Sequence, residues 1–146
     1  MRTTLFALAA LCGLLAPSFA MACSCAPPPA PLVALEGAGV VFEGTVIGLP
    51  APPPEGSLQG GPGQVEYRFS VAQAWKGSPG MEVRVFTNST GAACGRKFNK
   101  GETYLLYAQM SEEATISDSI CSRTRPLASA AEDLAALGAG TPPRRR

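Results

Sequence analysis

The sequence predicts an all-β domain, a small closed barrel of five antiparallel strands followed by one helix. Two runs alternate apolar and polar residues with the period of a half-buried strand, Val65-Glu66-Tyr67-Arg68-Phe69-Ser70-Val71 and Met81-Glu82-Val83-Arg84-Val85-Phe86-Thr87. Gly (16) and Pro (14) are frequent while charged residues make up 16%, as expected of short strands joined by long loops. The 146 residues leave room for one domain with a real core and hardly for two.

The chain opens with Met1-Arg2 and an apolar run from Leu5 to Leu15, broken by Pro17 and Ser18 before Ala20-Met21-Ala22. This is the pattern of a signal peptide over residues 1–22, cut after Ala22 by the small-x-small rule. The run is too short for a membrane span, which needs about 20 apolar residues. Cys12 leaves with the leader, Cys23 becomes the first mature residue, and the expected location is secreted or periplasmic. The alternative is a lipoprotein with a thioether on Cys23. That reading lacks a Leu-like residue three positions before the cysteine and would strand one thiol.

The domain is expected over residues 23–138. Ala26 to Pro31 is proline-rich and extended, too poor in amide donors for a central strand. Leu32 to Gly39 reads as a short helical turn. Val40 to Ile47 reads as the first strand, with Gly44 marking a bulge or bend. Leu49 to Gln64, rich in Pro and Gly, is long enough to be functional, although a spacer is the commoner reading. The two alternating runs pair across Lys76-Gly77-Ser78-Pro79-Gly80 as a hairpin. Asn88-Ser89-Thr90 matches a glycosylation sequon, in so short a form that chance accounts for it.

Gly91-Ala92-Ala93-Cys94-Gly95 is a loop, Thr103 to Ala108 a largely apolar strand, and Ala114-Thr115-Ile116 a short fifth strand. From Pro126, the residues Leu127, Leu134 and Leu137 share one helical face with Glu132-Asp133 off it, and Gly138 stops the helix. Residues 139–146 are expected to be a disordered basic tail, its arginines a solvated end. Five strands without an internal repeat fit a Greek-key barrel of the OB type, whereas an immunoglobulin-like sandwich needs about seven. Val65, Tyr67, Phe69, Val83, Val85 and Leu105 are the expected core.

Composition narrows the function. Twelve Lys+Arg face eleven Asp+Glu, so nothing electrostatic favours a nucleic acid partner. The chain has no His, which removes Ser-His-Asp and Cys-His catalysis and any imidazole metal site. With no nucleophile–base pair and no carboxylate pair in a motif, the expectation is a monomeric non-enzyme without a cofactor.

Cleavage after Ala22 leaves Cys23, Cys25, Cys94 and Cys121, an even set in an exported chain. A Cys23–Cys25 bridge would be strained. Both other connectivities join the N-terminus to the Cys94 loop and to Cys121, closing loops of roughly 70 to 95 residues worth about 4 kcal/mol each in the chain-entropy model. Zinc held by four thiolates is the alternative, but such sites usually show Cys-x2-Cys pairs, which are absent.

Cys23-Ser24-Cys25-Ala26-Pro27, followed by Val40-Val41-Phe42-Glu43-Gly44-Thr45-Val46, resembles the N-terminal, netrin-like domain of the tissue inhibitors of metalloproteinases. The similarity continues through Trp75-Lys76-Gly77, Ala93-Cys94-Gly95, Gly101-Glu102-Thr103-Tyr104-Leu105 and Cys121-Ser122-Arg123-Thr124-Arg125-Pro126-Leu127, and so spans nearly the whole mature chain. The terminal Cys-X-Cys with its two distant cysteines is the specific part. The chain looks like a short, bacterial-looking single-domain form. Leu35 stands near the place of the first cysteine of a third disulfide, and the cysteine-rich C-terminal subdomain is missing.

The resemblance implies bridges Cys23–Cys94 and Cys25–Cys121 on an OB barrel with a C-terminal helix. It also implies an activity: inhibition of a zinc metalloprotease, with the α-amine and carbonyl oxygen of Cys23 chelating the target's catalytic zinc. Ser24 would enter the main specificity pocket. Cys25, Ala26 and Pro27 on one side, and Gly91, Ala92, Ala93 and Cys94 on the other, would form the ridge that contacts the protease. The chemistry is sound, because an open zinc position accepts N and O donors and an α-amine is substantially neutral near pH 8. The competing expectation is a disulfide-stapled structural or adhesion module of the same fold that inhibits nothing.

Overall fold

The computed structural model describes residues 22–48, 50–53, 55–56, 60–61 and 63–145. The expected signal peptide, apart from Ala22, and parts of the 49–64 loop lie outside them. The elements are α1 (Pro31–Gly37), β1 (Val40–Val46), β2 (Gln64–Lys76), β3 (Glu82–Asn88), a 3-10 turn (Gly91–Ala93), β4 (Thr103–Met110), β5 (Ile116–Ser117), β6 (Arg125–Pro126), a second 3-10 turn (Leu127–Ser129) and α2 (Ala131–Leu137).

The strands run in the order β1-β2-β3-β5-β4, and β4 pairs back onto β1, so the sheet closes into a five-stranded barrel of the OB type. Closure removes the free edges that an open sheet would expose. One pairing differs from the expected antiparallel pattern: β3 and β5 run parallel, through Val85–Ile116 and Phe86–Ser117. A sixth, two-residue strand, β6, pairs with Tyr104 and Leu105 of β4 outside the ring.

The register of β1 on β2 shifts between Glu43 and Gly44, where the sequence suggests a bulge. A methyl group at Gly44 would come within 2.9 Å of the Phe42 ring and 3.2 Å of Phe69, so the absence of a side chain lets β1 bend over the core. On β2, Tyr67, Phe69 and Val71 are buried while Arg68 and Ser70 are exposed, as the alternation requires. The barrel interior holds edge-to-face ring pairs, Phe69 with Phe98 at 5.1 Å and Phe98 with Tyr104 at 5.0 Å. Each such pair adds about 0.5–1.5 kcal/mol beyond burial alone. Phe98 sits in a loop, where periodicity offers no signal.

Four expected core residues are buried, Tyr67, Phe69, Val85 and Leu105, while Val65 and Val83 are only partly so. Leu105 faces away from the barrel interior. It belongs to a second apolar layer with Val41, Tyr107, Ala34 and Ala130, covered by Leu35, Leu127, Leu134 and Leu137 of the helical segments. Both faces of β4 are therefore buried, which explains its nearly continuous apolar run.

The expected helix within Pro126 to Leu137 divides into a 3-10 turn and α2, and Gly138 terminates it with φ +68. Asp133, expected off the apolar face, is completely buried. The expected disordered tail is also a correction. Thr141 exchanges two 2.8 Å backbone hydrogen bonds with Ala74, and the Arg144 amide donates to the Pro79 carbonyl at 2.9 Å. The cause lies in β2, whose pairing with β3 ends at Ser70 and leaves a free backbone edge beyond it.

Candidate functional site

The N-terminal segment has no secondary structure from Ala22 to Ala30 and is held at one end of the barrel by its neighbours. Two disulfides attach it, Cys23–Cys94 across 71 residues and Cys25–Cys121 across 96. This is the pairing that the resemblance implies. The backbone nitrogen of Cys23 donates to the Ala92 carbonyl at 3.1 Å. Cys23 is half-buried, whereas Ser24, Ala26 and Pro27 are exposed, as are Gly91, Ala92 and Ala93. Thus Cys23 is brought directly against the 91–94 loop, and Ser24 to Pro27 follow from it as an exposed strip.

The 91–94 loop is rigid for reasons in its own sequence. Gly91–Ala93 makes one 3-10 turn, and Cys94 closes it in the left-handed region at φ 63, with its amide donating to the Gly91 carbonyl at 3.0 Å. The Gly95 amide returns to the Thr90 carbonyl at 2.9 Å. A side chain at position 95 has no room, since its Cβ would stand 1.9 Å from the Asn88 carbonyl oxygen. Asn88 itself, the sequon asparagine, donates through its amide to the Ala93 carbonyl.

A third segment completes the arrangement. The Ile120 amide donates to the Cys94 carbonyl at 3.0 Å, and Ile120 is exposed. Behind it, Arg96 pairs with the buried Asp118 at 2.7 Å and donates to the Ser119 carbonyl at 2.8 Å. Ser122 and Thr124 hydroxyls also donate to Asp118. Burial pushes the Asp118 carboxyl above its usual range, against the pull of Arg96 and the hydroxyls. These contacts fix the Cys121 loop independently of its bridge. A cleft of about 430 Å³, lined in part by Asn88, Asp118, Cys121 and Ser122, lies beside it.

On the other side of the segment, Arg123 donates to the Pro29 carbonyl and pairs with Asp133, joining the proline stretch to α2. Sequence reasoning singles out none of Arg96, Asp118, Ile120, Arg123 or Asp133. For the four charged residues the lone signal is their type, since charges in a chain this poor in them invite a question about burial; Ile120 carries none.

With four sulfurs committed to two disulfides, none is a thiolate ligand in this state. The chain matches no protein-family model and no curated protein.

Proposed function

We propose that this protein, once processed to begin at Cys23, is a secreted or periplasmic inhibitor of a zinc metalloprotease. The observation that carries the reading is the position of Cys23. Its nitrogen lies 3.1 Å from the Ala92 carbonyl, its sulfur is bonded to Cys94, and exposed residues extend on both sides. In this reading the Cys23 carbonyl oxygen, on which no backbone hydrogen bond outside helices and strands ends among the described residues, serves as the second donor beside the nitrogen. A chelate held in shape before binding loses little conformational entropy on docking.

In this reading Cys23 supplies nitrogen and oxygen to the target's zinc, Ser24 enters the specificity pocket, and Cys25, Ala26, Pro27 and Gly91 to Cys94 contact the cleft rims. In this disulfide-bonded form the protein brings no metal or cofactor of its own and acts as a monomer. The bridge to Cys94 uses the Cys23 sulfur, so lipidation at that sulfur and this bridge exclude each other.

A stapled module without inhibitory activity is the second reading. It is favoured by the Arg123 bond to Pro29, which anchors the segment without reference to any target.

The deciding comparison is between protein that begins at Cys23 and protein that retains Ala22, assayed against a panel of zinc endopeptidases. Retaining Ala22 turns the amine into an amide with no useful lone pair and leaves both bridges intact. Inhibition is expected only from the Cys23 form, rising with pH through the α-amine pKa of about 8, at unchanged melting temperature. Ser24→Gly is expected to alter which protease is inhibited rather than whether any is. Equal inhibition by the two forms would refute chelation, and no inhibition across the panel would favour the staple.

A further inference from the structure

The two disulfides lie against each other as one cluster of sulfur. Cys23 Sγ is 3.9 Å from Cys25 Sγ and 3.7 Å from Cys121 Sγ, each of which belongs to the other bridge. The sulfurs of Cys23, Cys94 and Cys121 all lie within 4.8 Å of one another. In a tetrahedral zinc–thiolate site with Zn–S bonds of about 2.3 Å, neighbouring sulfurs stand about 3.8 Å apart. Two of the four distances between the bridges, Cys23–Cys25 and Cys23–Cys121, already match that edge.

We propose that reduction of both disulfides converts this cluster into a zinc site with Cys23, Cys25, Cys94 and Cys121 as its four ligands. The reductant is a dithiol. Each bridge takes two electrons and two protons from one dithiol, which closes into its own cyclic disulfide, and two cysteine thiols result. Zn²⁺ then binds four thiolates and four protons leave to solvent. The sulfurs of each former bridge separate by side-chain rotation, the Cys23–Cys25 and Cys23–Cys121 distances need hardly change, and Cys94 and Cys25 turn toward each other to complete the set.

The ligand positions do not depend on the bridges alone. The Cys23 nitrogen is bonded to Ala92, the Cys94 carbonyl accepts from Ile120, and Arg96 joins Asp118 to the Ser119 carbonyl just before Cys121. Arg123 secures the Cys25 segment through the Pro29 carbonyl. Those contacts tie three chain segments around the sulfurs and survive the loss of the S–S bonds. Cys25 and Cys121 are exposed, so a reductant and a metal ion reach them from solvent. Soft thiolate donors in a tetrahedral set favour zinc among the common divalent ions. The absence of Cys-x2-Cys pairs is no obstacle here, because the fold rather than the local sequence assembles the ligands.

Cobalt(II) is the probe, since tetrahedral thiolate coordination gives it intense visible bands and sulfur-to-metal charge transfer. The purified protein, reduced with a phosphine under anaerobic conditions, is expected to take up one cobalt per chain with both signatures. Zinc should displace it stoichiometrically, with the far-ultraviolet circular dichroism of the barrel retained. Unreduced protein should give no bands. Cys121→Ser, also compared in the reduced state so that neither protein has bridges, should lose the four-sulfur spectrum. The proposal is overturned if the reduced protein binds no cobalt or binds it without tetrahedral bands. It is equally overturned if the bands are the same in urea, which would mean that any thiol-rich chain suffices.

Discussion

Arg123 Nε donates to Asp133 Oδ1 at 2.6 Å, while Nη1 of the same guanidinium donates to the Pro29 carbonyl at 2.7 Å. One buried cation thereby connects α2, at the end of the chain, to the proline stretch that follows the Cys-X-Cys. The Tyr107 hydroxyl, from β4, donates to the same Asp133 oxygen at 2.8 Å. Asp133→Asn takes the buried carboxylate away from this cation and leaves it only the exposed Glu132 at 3.5 Å, and is expected to cost about 3 kcal/mol. Tyr107→Phe removes a single hydrogen bond and should cost about 1 kcal/mol. Urea unfolding of the two variants checks the order, and an Asp133→Asn midpoint equal to that of the native protein would contradict it.

The same pair predicts a pH dependence. Burial works to raise the Asp133 carboxyl, but hydrogen bonds from Arg123 and Tyr107 and the charge of Arg125 hold it below its usual value. A depressed carboxylate stabilises the fold fully above its unfolded pKa of about 3.9 and loses that contribution as pH falls through the folded value. Asp118 is shifted upward, so its contribution has the opposite sign and weakens as pH rises from about 3.9 through its raised value. Comparing native protein with Asp133→Asn cancels the Asp118 part. The stability gap should stay constant from neutral pH to near pH 4 and narrow in stronger acid; a widening gap would refute the assignment.

Gly95→Ala tests the rigidity of the 91–94 loop. The added methyl would meet the Asn88 carbonyl oxygen at 1.9 Å, a backbone atom that moves only with β3. A loss of about 1–3 kcal/mol is expected from the forced shift. In the inhibitor reading this variant should also weaken inhibition more than Gly37→Ala, since Gly37 lies outside the ridge and a methyl there meets nothing within 4 Å.

Removing residues 141–146 tests the tail. Its removal frees the Ala74 amide and carbonyl and the Pro79 carbonyl, three bonds at a solvated edge. The expected loss is about 1 kcal/mol, because water replaces much of each bond. Hydrogen exchange at the Ala74 amide should accelerate while that at Phe69, deep in the barrel, stays slow. Unchanged exchange at Ala74 would mean that the tail does not protect it.

The barrel was legible because its strands carry their own signal. Tyr67 and Phe69 alternate with Arg68 and Ser70, and Gly44 stands where β1 has to bend. The second layer was less legible, since the hydrophobicity of Leu105 is the same whichever face it occupies. Helical periodicity sorts polar residues outward and so places Asp133 at the surface, and nothing local reveals that Arg123 and Tyr107 wait for it. The tail escaped for a related reason. What holds Thr141 is a gap in the pairing of β2, a property of the assembled sheet rather than of the last residues. At the candidate site, the cysteines mark the place, but the backbone contacts that orient them join segments distant in sequence.

The two bridges also set the timetable of assembly. A chain is made from its N-terminus, so Cys23 and Cys25 are among the first residues of the domain to emerge. Their partners follow 71 and 96 residues later. Until Cys121 emerges, Cys25 has only two other thiols of the domain to meet, Cys23 and later Cys94, and neither is its final partner. The parallel β3–β5 contact that closes the barrel also waits for Ile116. The end of the domain that is made first is therefore the last to take its shape, and an oxidant that acts too early traps it in the wrong one.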